Sequence, residues 1–186
     1  MRISMIALAL LAGCASPDAK DSPSPKVPMT AAAEQHVWLR QLVGDWAISS
    51  EATMEPGGEP WHMDSTERVR AIGDLWVLGE GSASLDGAPF STVLTLGYNP
   101  AKGVFVGTWI DSMTAHMWHY EGTLDSEKRV LTLDTTGPSF GDPSKTARYR
   151  DAIELKGPRE RTLTSSVLGD DGTWTTFMRA KYTRKR

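Results

Sequence analysis

A single cysteine in 186 residues excludes an internal disulfide. Any folded domain in this chain must therefore be held by its apolar core alone. Long hydrophobic runs are also scarce. The best candidate, Ile3 to Ala12, falls far short of the roughly 20 apolar residues that a membrane-spanning helix needs. Charge of one sign is not in excess: the formal net charge is −3, and the longest basic run is the final Thr183-Arg184-Lys185-Arg186. Nucleic acid is therefore not an expected partner. The motifs of familiar chemistry are missing too. There is no Gly-x-Ser-x-Gly, His-Glu-x-x-His, Cys-x-x-Cys or phosphate loop, so no nucleophile, metal site or anion cradle is announced.

What is present begins with Arg2, a short apolar stretch and Leu11-Ala12-Gly13-Cys14. This is the layout of a signal peptide, and its end resembles the bacterial lipobox, in which the cysteine is lipidated. The resemblance implies a signal over 1–13, acylation of Cys14 and attachment to a membrane through the lipid. Ala15 and Ser16 follow without an aspartate, a pattern similar to lipoproteins held at the outer membrane and facing the periplasm. The alternative is an ordinary secretory signal cleaved near Ala15. Residues 14–30 carry Pro17, Pro23, Pro25 and Pro28 among Ser, Asp and Lys. Such spacing favours extended chain and predicts a tether.

A domain is predicted over 31–186. It opens with a helix: Thr30 is the expected N-cap, Trp38, Leu39, Leu42 and Val43 share helical spacing, and Gly44 is the stop. The pair Trp38 and Leu42 is expected to pack against one end of the domain. From Asp45 on, apolar residues alternate. Turn signals such as Gly73-Asp74, Asp86-Gly87, Asn99-Pro100 and Gly157-Pro158 delimit about ten strand-length segments. Sequential hairpins without crossover helices predict an all-β, antiparallel up-and-down barrel, since closure removes both exposed edges. Ten strands enclose more space than their own side chains fill, so a lumen is expected. A two-sheet sandwich is the structural alternative. The segment Gly103 to Ile110 is apolar on both faces, which implies an outer cover or a partner.

Particular words stand out within this pattern: Glu34-Gln35-His36, Leu42-Val43-Gly44-Asp45-Trp46, Leu75-Trp76-Val77-Leu78-Gly79-Glu80, Leu96-Gly97-Tyr98, Gly107-Thr108-Trp109-Ile110-Asp111-Ser112-Met113 and Glu121-Gly122-Thr123. Together they resemble the bacterial domain-of-unknown-function family numbered 1579, from about Glu34 to Lys185. That family looks calycin-like, akin to lipocalins, fatty-acid-binding proteins and nitrobindins. Gly44-Asp45-Trp46 is similar to the Gly-x-Trp that opens the first strand of those barrels. The resemblance supports the barrel and implies no activity.

Polar residues in phase with apolar ones are the candidate site. Glu80 follows Trp76 and Leu78, Asp111 lies between Trp109 and Met113, Asp151 lies between Tyr149 and Ile153, and Glu67 precedes Val69. A carboxylate in an apolar lumen must be paired, hydrogen-bonded or protonated, and Arg68, Arg70, Arg148 and Arg150 are the candidate partners wherever a register shift or bulge turns one inward. The chosen ligand-contacting set is Trp76, Glu80, Trp109, Asp111, Met113 and Tyr149, holding a small apolar or amphipathic molecule. No cofactor or metal is expected. Haem, held by His116 or His119, is an alternative suggested by the likeness to nitrobindins. Two further alternatives are an envelope scaffold that binds a protein through the apolar segment near Val104, and an enzyme with Glu80 or Asp111 as base.

Overall fold

The computed structural model describes residues 30–53, 58–85 and 87–186. Cys14, the signal and the tether lie outside the described residues. The helix α1 (Glu34–Leu39) is extended by a 3-10 turn over Arg40–Leu42. Its N-cap is Ala33, three residues later than expected. His36 replaces the missing cap side chain: its Nδ1 accepts the Ala33 N–H at 2.8 Å, which leaves Nε2–H to donate to the Tyr98 carbonyl at 3.2 Å. An orphan donor of the first turn is satisfied in this way, and the helix is pinned to the barrel.

Ten strands follow: β1 (Gly44–Ala52), β2 (Trp61–Ile72), β3 (Trp76–Leu85), β4 (Ala88–Asn99), β5 (Val104–Asp111), β6 (Trp118–Leu124), β7 (Val130–Pro138), β8 (Thr146–Gly157), β9 (Glu160–Leu168) and β10 (Trp174–Arg184). Each pairs antiparallel with its neighbours in chain order, and β1 pairs with β10 to close the barrel. The sandwich is thereby excluded. The seam runs from Trp46 opposite Arg184 to Ala52 opposite Met178.

Gly44 begins β1 with φ +144, and a Cβ there would collide with the Arg184 guanidinium. Arg184 uses that space to donate to the carbonyls of Val43, Gln41 and Pro158, tying the last strand to the helix end. The glycine is required both for its backbone and for this close approach.

Alternation along the strands separates an inner from an outer face. At the helix end the inner face is closed. Leu42, Leu96 and Leu131 are fully buried there, and Trp38, Leu39, Trp46, Val77 and Phe105 join them in one cluster. Trp46 donates its indole N–H to the Leu42 carbonyl and Trp38 donates to the Lys128 carbonyl. The helix therefore plugs this end, as the Trp38–Leu42 spacing predicted. It does not cover the outer face of β5, where Val104, Val106 and Ile110 remain partly or largely exposed.

Replacing Leu42, which is fully buried in the plug, with alanine should cost about 2–5 kcal/mol. Urea denaturation of the L42A chain checks this, and the expected result is a lower midpoint with little change in slope.

Candidate functional site

Away from the plug, the inner face changes character. Ile48, Met63, Ser65, Leu94, Leu163 and Met178 all point inward but keep part of their surface accessible. A barrel filled by its own side chains would bury such positions as completely as it buries Leu96 and Leu131. The inner face is thus sealed at the plug and unevenly packed beyond it, where Ser50, Thr135, Tyr149, Ser165 and Ala180 are buried beside these partly accessible positions.

Between the two lies a band of polar side chains. Glu67 on β2 and Arg161 on β9 form an ion pair, their side chains only 9% and 3% exposed. The strands β1 and β10 lie between β2 and β9 in the sheet order, so the pair reaches across the inside of the closing seam. On the way, the Arg161 guanidinium lies 4.1 Å from the Tyr182 ring centroid and 4.8 Å from that of Trp46. Gly79 makes room for the carboxylate, since a Cβ there would stand 2.8 Å from Glu67 Oε1. Charge pairing and two aromatic faces compensate the burial of the guanidinium, although its Nε has no partner.

Asp151 on β8 completes the band. Tyr120 donates its hydroxyl to Oδ2 at 2.5 Å, and Ser165 donates to Oδ1 at 2.5 Å. Desolvation inside the barrel raises the Asp151 carboxyl above the ordinary carboxylate range, and the two hydroxyl donors offset this only in part. The same surroundings push the Tyr120 and Tyr182 phenols upward, chiefly by burial, so both stay neutral donors. Asp151 nevertheless retains some accessible surface. A carboxylate wrapped by the wall yet touching accessible space is a lumen-lining group.

Toward the open end the lining becomes aromatic. Trp109 and Trp118 sit opposite each other on β5 and β6. Trp118 meets Tyr149 edge to face at 5.0 Å, and Phe140 contacts both Tyr149 and Phe177. Trp118 lies over Gly137, where any Cβ would strike its ring. Two polar atoms in this half have no partner, Trp118 Nε1 and Thr135 Oγ1.

The candidate residues named from the sequence divide accordingly. Trp109 and Tyr149 face the lumen, and Tyr149 donates to the Pro138 carbonyl at 2.6 Å. Trp76 and Glu80 do not join them. The inner face of β3 is Val77, Gly79, Gly81 and Ala83, so Trp76 packs outside over Gly97 and is 41% exposed. Glu80 faces solvent near Arg70 at 3.9 Å. Asp111 is inward in phase but binds its own loop: Oδ1 accepts from the Met113 and Thr114 N–H groups and Oδ2 from the Thr114 hydroxyl. Met113 is exposed in that loop.

The arginines expected as lumenal partners face outward as well. Arg68 pairs with Asp45, and Arg150 pairs with Asp134 and stacks on Trp174. The residues not foreseen are Arg161, Tyr120, Ser165 and Tyr182. Their signal was phase alone, with Arg161 alternating with Leu163, Ser165 and Val167. His119 points outward, whereas His116 meets Trp118 at the open rim, 4.9 Å between centroids. Among the described residues, no three His, Cys, Asp or Glu side chains converge as a metal site would require.

The profile of the family described as DUF1579, protein of unknown function, matches residues 31–184. No curated protein matches the chain. Among solved structures, the crystal structure of Rv2717c from M. tuberculosis is similar, with a TM-score of 0.57 and 16% identity over 84% of this chain and 100% of that one. A redesigned β-barrel, mFAP1 bound to DFHBI, aligns over 78% of this chain and 96% of its own, with 14% identity and a TM-score of 0.40. The first likeness is one of fold, and the second is too loose to carry an argument.

Two substitutions in the polar band should move stability in opposite directions. Arg161→Met leaves Glu67 buried without a countercharge and should cost about 3–5 kcal/mol. Asp151→Asn keeps an acceptor for the hydroxyl donors but removes the desolvated charge, and should gain about 0.5–2 kcal/mol at neutral pH. The Asp151 carboxyl is raised in the folded state. Wild type therefore bears its penalty above that raised value and loses it on acidification, so the D151N advantage should shrink as pH falls. Thermal melts of both variants at neutral and acidic pH check the signs.

Proposed function

Because the chain belongs to the DUF1579 family of proteins of unknown function, its role must come from its own geometry, and we propose that it is a binding barrel for a small amphipathic molecule. One observation carries this reading: a group of inward-facing side chains away from the helix, among them Met63, Ser65, Trp109, Trp118, Asp151 and Met178, keeps accessible surface, whereas Leu42, Leu96 and Leu131 at the plug are fully buried. Entry is from the end opposite α1, past the aromatic group of Trp109, Trp118, Tyr149 and Phe177. The apolar part of the ligand packs on these rings, and its polar part reaches toward Asp151 and the unpartnered Thr135 hydroxyl. This combination of apolar wall and few convergent polar groups is the usual character of a small-molecule site.

The barrel is carried on the envelope by acyl chains at Cys14, with the tether of residues 15–30 as spacer. Support for this comes from the signal-like N-terminus and its lipobox-like end. A lipid of several chains on one residue would anchor the protein stably. The outer strip of Trp76, Val93, Val106 and Ile110 on β3, β4 and β5 favours a second reading, a scaffold that docks a protein partner on its wall.

Native and denaturing mass spectra of the Cys14→Ser chain, recovered from the periplasm, test the first reading. A stoichiometric extra mass lost on denaturation is the expected result. A clean apo mass, together with reproducible cross-links from the outer strip to one protein, would favour the scaffold. In cells, the same substitution should abolish incorporation of labelled palmitate and move the protein from the membrane to the soluble fraction.

A further inference from the structure

We propose that the lumen selects its ligand by charge: it receives an amphiphile with an ammonium head group at Asp151 and disfavours anionic amphiphiles such as alkyl carboxylates. The inference rests on the binding reading above and narrows it to a ligand class.

Among the described residues, the ionisable acids and bases pointing into the barrel between plug and mouth are Glu67, Arg161, Asp111 and Asp151. Arg161 offers no free positive charge, because Glu67 neutralises it and the rings of Trp46 and Tyr182 flank it. Asp111 is committed to the N–H and hydroxyl groups of its own loop. Asp151, like Asp111, has no cationic partner among the described residues, but it stands within the wall and not in a loop at a strand end. Its hydrogen-bond partners are two neutral hydroxyls, one on each oxygen. A carboxylate can accept more than that, so each oxygen keeps capacity for a further donor.

A second, independent observation lies beside it. Thr135 is only 8% exposed, points inward, and its Oγ1 has no hydrogen-bond partner. It follows Leu133 on the same face of β7, and Leu133 is the cross-strand partner of Asp151. An orphan hydroxyl next to an uncompensated carboxylate suits a head group with several N–H donors. The walls agree with this. Tyr149 precedes Asp151 on the same face of β8, and Trp118 stands against it; aromatic faces attract cations and not anions. An incoming carboxylate would meet a like charge at Asp151; the one inward guanidinium, Arg161, is already paired with Glu67, and the unpartnered Trp118 Nε1–H is a neutral donor.

The test compares decylammonium, decanol and decanoate, each below its aggregation threshold, by calorimetric titration of the Cys14→Ser chain. Decylammonium should bind at least about tenfold more tightly than decanoate. In Asp151→Asn, shown to be folded by its thermal melt, that ratio should collapse to about threefold or less. Thr135→Val should weaken decylammonium more than decanoate.

Decanoate binding as tightly as decylammonium would overturn the proposal while leaving the binding barrel standing. So would a preference that survives D151N. Failure of all three probes to bind would overturn the charge proposal and the lumenal-binding reading together.

Discussion

The interaction on which the architecture turns is the Arg161–Glu67 pair laid across the inside of the closing seam. Ten hairpin-linked strands would form an open sheet with two edges unless β1 met β10. Backbone pairing along the seam from Trp46 to Ala52 makes that closure. Arg161 bridges it from within, passing Tyr182 and Trp46 to reach a carboxylate three strands away. At the helix end of the seam, Arg184 lies 4.3 Å from the Trp46 ring centroid and binds the carbonyls that lead from the helix into β1. First strand, last strand and plug are thus held at one place by two arginines. A buried ion pair adds little net stability over apolar packing, but it strongly penalises arrangements in which the partners fail to meet.

Once closure and plug are fixed, the two halves follow different rules. At the plug the side chains pack tightly around Leu42, Leu96 and Leu131, and the indole N–H groups of Trp38 and Trp46 donate to backbone carbonyls. The other half holds a carboxylate raised by desolvation, an orphan hydroxyl and an aromatic lining. None of these is what a barrel optimised for stability would retain. Perturbed and unsatisfied groups gathered on one inner face are what the binding proposal draws on.

Most of the fold was legible in the sequence because turn chemistry and alternation are local. The helix, the strand-length segments and the closed meander all follow from spacing. The site was less legible, for two physical reasons. Alternation shows which residues share a face but not which side that face takes. On β3 the outer face, with Trp76 and Leu78, is bulkier than the inner one, where Gly79 and Gly81 leave room for Glu67. Apolar bulk therefore pointed to the wrong side. The second reason is distance along the chain. The residue that pairs with Glu67 is 94 positions away, and only the closed topology brings it near. Asp111 shows a milder form of the problem: its phase was right, but its position at a strand end commits its oxygens to the following turn.

Lumenal binding requires that reagents reach the inner face beyond the polar band but not the inner face at the plug. Since Cys14 is the only natural cysteine, single reporters can be placed in the Cys14→Ser chain at Ser65, which is inward and partly accessible, and at Leu131, which is inward and fully buried. Thiol labelling with a small reagent under native conditions measures the difference directly. S65C should label in the folded protein, whereas L131C should label only as fast as the protein unfolds. Equal protection of both cysteines would mean a filled barrel and would contradict lumenal binding.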